Sequence, residues 1–154
     1  MEKILIYGYG NPGRQDDGLG ILCAEKIKQW AKNHFPQRID VDMNYQLNIE
    51  DAEKISHYDT VIFADASCEQ IKHYHFAPLK PSKAQLEFTM HAVSPAYVLH
   101  LCRTLFGKLP ETHLLHIRGY AWGMKEQITD KAAQNLRESC KILTRFITNK
   151  LSEN

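Results

Sequence analysis

Three small groups of side chains in this sequence have the makings of a reactive site. Asp16 and Asp17 stand side by side just after the glycine-rich stretch Gly8-Tyr9-Gly10-Asn11-Pro12-Gly13, Asp65 closes the apolar run Val61-Ile62-Phe63-Ala64, and His91 lies just ahead of Ser94-Pro95. Carboxylate oxygens from two places and one imidazole nitrogen make a mixed donor set that suits a borderline divalent transition metal such as nickel or zinc. Each has an ordinary structural reading beside the chemical one. An acid at a helix start often caps the helix or answers its dipole, an Asp after a buried strand is frequently structural, and a lone His is commonly a surface or core residue. What the ordinary readings leave unexplained is that all three belong on one rim of the fold described next.

Lys3 to Tyr7 is apolar and ends at a glycine, the pattern of a strand buried on both faces. From Asp17 to His34 the residues Leu19, Cys23, Ile27, Trp30 and Ala31 recur at helical spacing, and Pro36 stops the pattern. Arg38 to Met43 alternates as a half-exposed strand, Asn48 reads as the cap of a short helix through Ile55, and Thr60 to Ala64 reads as a third strand. Weaker strand signals cover residues 71–79 and 85–88. Ser94-Pro95 starts a helix that Gly107 ends, His113 to Gly119 is strand-like, and Thr129 caps a long helix with the stripe Ala133, Leu136, Cys140, Leu143 and Ile147. This alternation predicts a single-domain α/β fold over residues 1–154: a three-layer α/β/α sandwich, phosphorylase/hydrolase-like, with a mostly parallel, twisted central sheet. In such sheets ligands bind at the carboxyl ends of the strands.

Charge and cysteine usage narrow the field. With 19 Lys and Arg against 18 Asp and Glu, the net charge of +1 offers no electrostatic footprint for nucleic acid or an anionic membrane, so neither is expected as a partner. Neither a signal peptide nor a transmembrane run is visible, and the four cysteines lack a C-x-x-C pair. Reduced thiols, a cytoplasmic location and a monomer are the expectation. His73 and His75 flank Tyr74 and would share one face of a strand, a minor chelating possibility.

Gly8-x-Gly10-Asn11 followed by Asp16-Asp17-Gly18-x-Gly20, Asp65 within Phe63-Ala64-Asp65-Ala66, and His91 ahead of a helix resemble the hydrogenase maturation endopeptidases, which process the large subunit of nickel-iron hydrogenases. The resemblance implies an enzyme, an endopeptidase that removes a C-terminal peptide from the large-subunit precursor once nickel has been inserted. It implies that Asp17, Asp65 and His91 contact nickel brought by the substrate, with no permanently bound cofactor. Asp16 and the loop residues Gly8, Gly10, Asn11 and Gly13 would then shape the cleft and receive the substrate backbone, and Asp16 or Asp17 would act as the base. The wording Asn11-Pro12-Gly13 departs from the usual family pattern, and residues 68–90 offer few anchors for His91.

Two other enzyme or binding classes share parts of the pattern. Gly8-x-Gly10-Asn11-Pro12-Gly13 looks like the opening of bacterial peptidyl-tRNA hydrolases, but Asp16-Asp17-Gly18 stands where that family carries its catalytic histidine segment. The same glycines satisfy G-x-G-x-x-G, yet a pyrophosphate at the following helix would meet two carboxylates. A non-catalytic metal-binding module is the remaining alternative. No nucleophile elbow and no H-E-x-x-H motif is present, so an ordinary serine or zinc protease mechanism has no support in the sequence.

Overall fold

The computed structural model of the chain describes residues 1–84 and 93–152. Five strands form one sheet: β1 (Ile4–Tyr9), β2 (Ile39–Asn44), β3 (Thr60–Ser67), β4 (Tyr74–Pro78) and β5 (Glu111–Arg118), in the spatial order β2-β1-β3-β5-β4. The first four in that order run parallel, while β4 is antiparallel to β5 at the edge. Among the described residues four α-helices accompany them: α1 (Leu19–His34), α2 (Asp51–Ile55), α3 (Pro95–Phe106) and α4 (Asp130–Ser152). The expected three-layer, mostly parallel α/β architecture is what the chain adopts.

Alternation along the strands sorts the core into two halves. Ile4, Ile6, Ile62, Ala64, Leu115 and Ile117 point to α1 and α4, whose Leu19, Cys23, Ile27, Leu136, Leu143 and Ile147 cover them. Leu5, Tyr7, Val61 and Phe63 point the other way, toward Ala52 and Ile55 of α2 and Val98, Leu99 and Cys102 of α3. Central strands buried on both faces carry near-continuous apolar runs for this reason.

Several element boundaries shift from the sequence expectation. The acids at 16 and 17 occupy a short 3-10 turn, Gln15–Gly18, and α1 proper starts only at Leu19. Strand β3 runs through Asp65 to Ser67 because β5 pairs with it along that whole length. Asn48 does not cap α2 with its side chain: the Asp51 carboxylate instead accepts the Asn48 backbone N–H at 2.9 Å and the Tyr7 hydroxyl at 2.8 Å. On α4 the buried stripe passes through Ala132, Asn135 and Ser139 rather than Ala133, with Asn135 donating to the Arg118 carbonyl at the end of β5 at 3.1 Å and Ser139 to the Asn135 carbonyl of its own helix at 2.7 Å. His73 lies before β4 with φ of 67° and bonds Asn135 Oδ1 at 3.0 Å, so it does not share a strand face with His75. The cap expectations at α3 and α4 hold. Ser94 Oγ accepts the Tyr97 N–H at 3.1 Å, Gly107 takes the left-handed conformation with φ of 65°, and Thr129 Oγ1 accepts the Ala132 N–H at 3.2 Å. The strand signal at 85–88 lies outside the described residues.

Candidate active site

Strand β1 leads to β2 on one side, and β3 lies on its other side, so the crevice between the carboxyl ends of β1 and β3 is where chain direction across the sheet reverses. Open α/β sheets bind ligands at such a point. Asp17 comes from the turn after β1 and Asp65 from the last part of β3, and both are partly exposed.

The loop after β1 is built to present Asp17. Gly10 has φ of 136°, a conformation open to glycine, and a Cβ there would strike the Asp17 backbone carbonyl. The Asn11 N–H donates to Asp17 Oδ2 at 2.9 Å, while Asn11 Oδ1 accepts the Gly13 N–H at 2.9 Å and closes the turn on itself. Gly10 N–H reaches Asn44 O at 3.1 Å, tying the loop to the end of β2. Gly8 is buried, and its missing side chain answers to α1: a Cβ there would run into the Gly20 carbonyl oxygen and approach Ala24 Cβ at 2.8 Å. Gly8 is therefore a helix-packing residue, and the loop atoms that reach the surface are those of Asn11, Pro12 and Gly13.

The two neighbouring aspartates have opposite surroundings. Asp16 is fully buried (0% exposed) and accepts four hydrogen bonds, from the Tyr120 N–H (2.7 Å), the Ala121 N–H (3.1 Å), the Thr129 N–H (2.8 Å) and the Thr129 hydroxyl (2.8 Å). Its oxygens are committed to holding residues 119–129 against the β1 turn. Gln15 does the same, taking the Gly123 N–H on Oε1 at 2.9 Å and donating its own N–H to Lys125 O at 2.7 Å. Asp16 is sealed from solvent with both oxygens engaged by the 119–129 segment, so the geometry gives it a positioning role and leaves the partly exposed Asp17 as the carboxylate able to act in the crevice.

Asp65 holds its proton unusually well. Burial pushes its pKa up to about 7, and the nearby Asp17 charge adds to the rise, against the opposing hydrogen bonds from the Ala66 N–H and the Tyr9 hydroxyl. Burial, and then Asp65 itself, push the Tyr9 phenol well above its ordinary range, so it stays a donor. One residue beyond the Gly8–Ala64 pair, Tyr9 and Asp65 come together across the β1/β3 seam. Sequence reasoning did not single out Tyr9, Gln15 or the 119–129 segment. Only the Tyr-between-glycines wording hinted at the first, and nothing local hints at contacts over 100 residues away.

Asp17 and Asp65 are near enough for the charge of one to raise the pKa of the other. Among the described residues no three His, Cys, Asp or Glu side chains are grouped to hold a metal ion. The third ligand expected from the sequence, His91, lies outside the described residues. Beside the loop, an apolar groove of about 220 Å³ is lined by Gly10, Pro12, Ile21, Met43, Asn44 and Tyr45. Tyr45 is 70% exposed at its rim. No described helix is long and apolar enough to cross a membrane.

Fold and crevice together define the class: a three-layer α/β protein with an acidic site at the switch point of a mostly parallel sheet. No protein-family model matches the chain, and no curated protein matches it. Solved structures do. The chain is similar to a NiFe hydrogenase maturation protease, HycI, from Thermococcus kodakarensis KOD1, at 20% identity and a TM-score of 0.71, covering 93% of this chain and 90% of that one. It is similar to the hydrogenase maturating endopeptidase HybD from E. coli at 16% identity and a TM-score of 0.73, covering 96% and 93%. A hydrogenase 2 maturation peptidase from a Thaumarchaeota archaeon shares 14% identity over 95% and 98%, with a TM-score of 0.68. The fold of this chain, nearly end to end, is the fold of those proteases.

Proposed function

We propose that this chain is a hydrogenase maturation endopeptidase, which removes the C-terminal peptide of a nickel-iron hydrogenase large-subunit precursor after nickel insertion. The observation that carries the reading is the placement of Asp17 and Asp65 as a close carboxylate pair at the switch point, in a chain whose fold matches proteases of that kind over more than nine-tenths of its length.

In this reading nickel is the substrate's cargo. Asp17, Asp65 and His91 contact it, and its charge draws the proton from Asp65, whose raised pKa makes the carboxylate costly until a cation arrives. Recognition of the metal thereby places the precursor tail over the loop of Asn11 and Gly13, and the metal polarises the scissile carbonyl or a water. Asp17, with its second oxygen free of the loop, serves as base. Asp16 keeps the turn that carries Asp17 in place. The apolar groove at Met43 and Tyr45 receives a side chain of the precursor, and residues 45–50 together with the loops on either side of β4 within 68–84 set which precursor fits, as loops on a rigid sheet usually do.

The test mixes purified protein with nickel-loaded and nickel-free precursor and follows tail removal by mass. Cleavage of the loaded form only is expected. Equal cleavage of both removes nickel recognition, and cleavage of neither, with hydrolysis of peptidyl-tRNA instead, replaces the reading with its enzymatic rival.

A further inference from the structure

Outside the acidic site, one pair of reactive side chains is brought together by tertiary packing alone. Cys23 of α1 and Cys140 of α4 are 117 positions apart in sequence, from 23 to 140, yet both belong to the core cluster where these helices meet. Cys23 is completely buried, whereas Cys140 is partly exposed at the helix seam, and the two sulfurs lie near enough for each to shift the ionisation of the other. Lys26, one turn beyond Cys23, lends positive charge to both sulfurs. The other two cysteines have no such partner: Cys68 is exposed, and Cys102 lies on the buried face of α3.

We infer that Cys23 and Cys140 form a peroxide-responsive thiol pair that closes to a disulfide between α1 and α4, with Cys140 as the attacking sulfur. Access and acidity both favour Cys140 in that role. It is the sulfur that solvent reaches, and the hydrogen bond with Cys23, with Lys26 nearby, lowers its pKa, while the same bond and then burial raise that of Cys23. The Cys140 thiolate attacks one oxygen of a hydroperoxide; the S–O bond forms, the O–O bond breaks, and the leaving hydroxide takes a proton to become water. The Cys23 sulfur then attacks the resulting sulfenic sulfur, the S–O bond breaks, and that oxygen leaves as water with the Cys23 proton. Two thiols lose two electrons and one peroxide gains them. The cross-link ties together the helix that starts at the Asp16–Asp17 turn and the helix whose first turn is clamped by Asp16.

The experiment treats the full-length Cys68→Ser protein with hydrogen peroxide, then denatures it, alkylates free thiols and measures mass. Cys68→Ser removes the exposed competitor. The expected product has lost two hydrogens, alkylates only at Cys102, yields a peptide joining residues 23 and 140, and returns to three free thiols with dithiothreitol. In Cys140→Ser, which changes a partly exposed position and leaves the core intact, the two-hydrogen loss disappears and Cys23 stays reduced. Oxidation of Cys140 to higher oxygen adducts beside a free Cys23, or complete alkylation of both after peroxide, overturns the inference.

Discussion

Asp16 accepts both the backbone N–H and the hydroxyl of Thr129, each at 2.8 Å, and so joins the turn after the first strand to the first turn of the last helix across 113 positions. The carboxylate next to it in sequence reaches into the crevice instead. That division of labour between neighbours leads to separable outcomes on mutation.

Replacing Asp16 by Ala strands four part-buried donors, at Tyr120, Ala121 and twice at Thr129. Losses of this kind cost about 3–5 kcal/mol. Urea unfolding of Asp16→Ala should show a midpoint well below that of the parent protein, with Asp16→Asn intermediate. A midpoint within error of the parent would show that the 119–129 segment is held by other contacts.

Asp17→Ala and His91→Ala are expected to abolish precursor processing with little change in melting temperature. Asp17 gives up one hydrogen bond from a partly exposed N–H. Tail removal at the parent rate by either variant takes that residue out of the site; the melting curve separates this from misfolding.

The stability of the protein should fall as pH rises from about 4 to about 7. In the unfolded chain the Asp65 carboxyl releases its proton near pH 4, whereas in the folded chain it keeps it to about 7. Between those values the folded state binds the extra proton, so raising the pH penalises folding, by at most about 4 kcal/mol once both values are passed. Asp65→Asn, which needs no ionisation, should flatten that slope and raise the melting temperature at pH 8. A lower melting temperature at pH 8 would sink this account. Nickel-loaded precursor should restore the charged form of the parent residue and be bound more weakly by the variant.

Gly8→Ala should be among the most damaging small changes in the chain. Its new methyl group meets backbone on α1, the Gly20 carbonyl, which cannot swing aside as a side chain can. Overpacking commonly costs 1–3 kcal/mol, and backbone collisions exceed that, so roughly 3 kcal/mol or more is expected. Gly107→Ala, which meets no atom within 4 Å, should lose only the smaller cost of its φ of 65°. Thermal melts of the two variants side by side give the ordering.

At the apolar groove, Tyr45→Asp puts a charge at the rim without touching the core, since Tyr45 is 70% exposed. About a tenfold higher KM for precursor with kcat near the parent value is expected if this groove holds part of the substrate. A change confined to kcat would place Tyr45 outside ground-state binding.

The amino-acid sequence by itself determined the elements and the class of fold, because strand burial and helix caps are local. An uninterrupted run such as Ile4-Leu5-Ile6-Tyr7 suits only a strand covered on both faces, and Ser94 and Thr129 state their helix starts within a few residues. It also marked Asp17 and Asp65 as acids on one rim. What it left open was the role of each neighbour: Asp16 and Asp17 are chemically identical and adjacent, and nothing local tells which is turned inward. Only tertiary structure decides that, through the 119–129 segment that closes over Asp16 and through the β1/β3 seam that sets Tyr9 and Asp17 against Asp65. The same holds for Gly8, whose loop position suggested a ligand until α1 packed onto it, and for Cys23 and Cys140, which meet because two helices separated by most of the chain cover the same face of the sheet. Propensity and pattern act over one or two turns of chain. The energies that distinguish a buried strut from an accessible carboxylate come from desolvation and from partners far away in sequence.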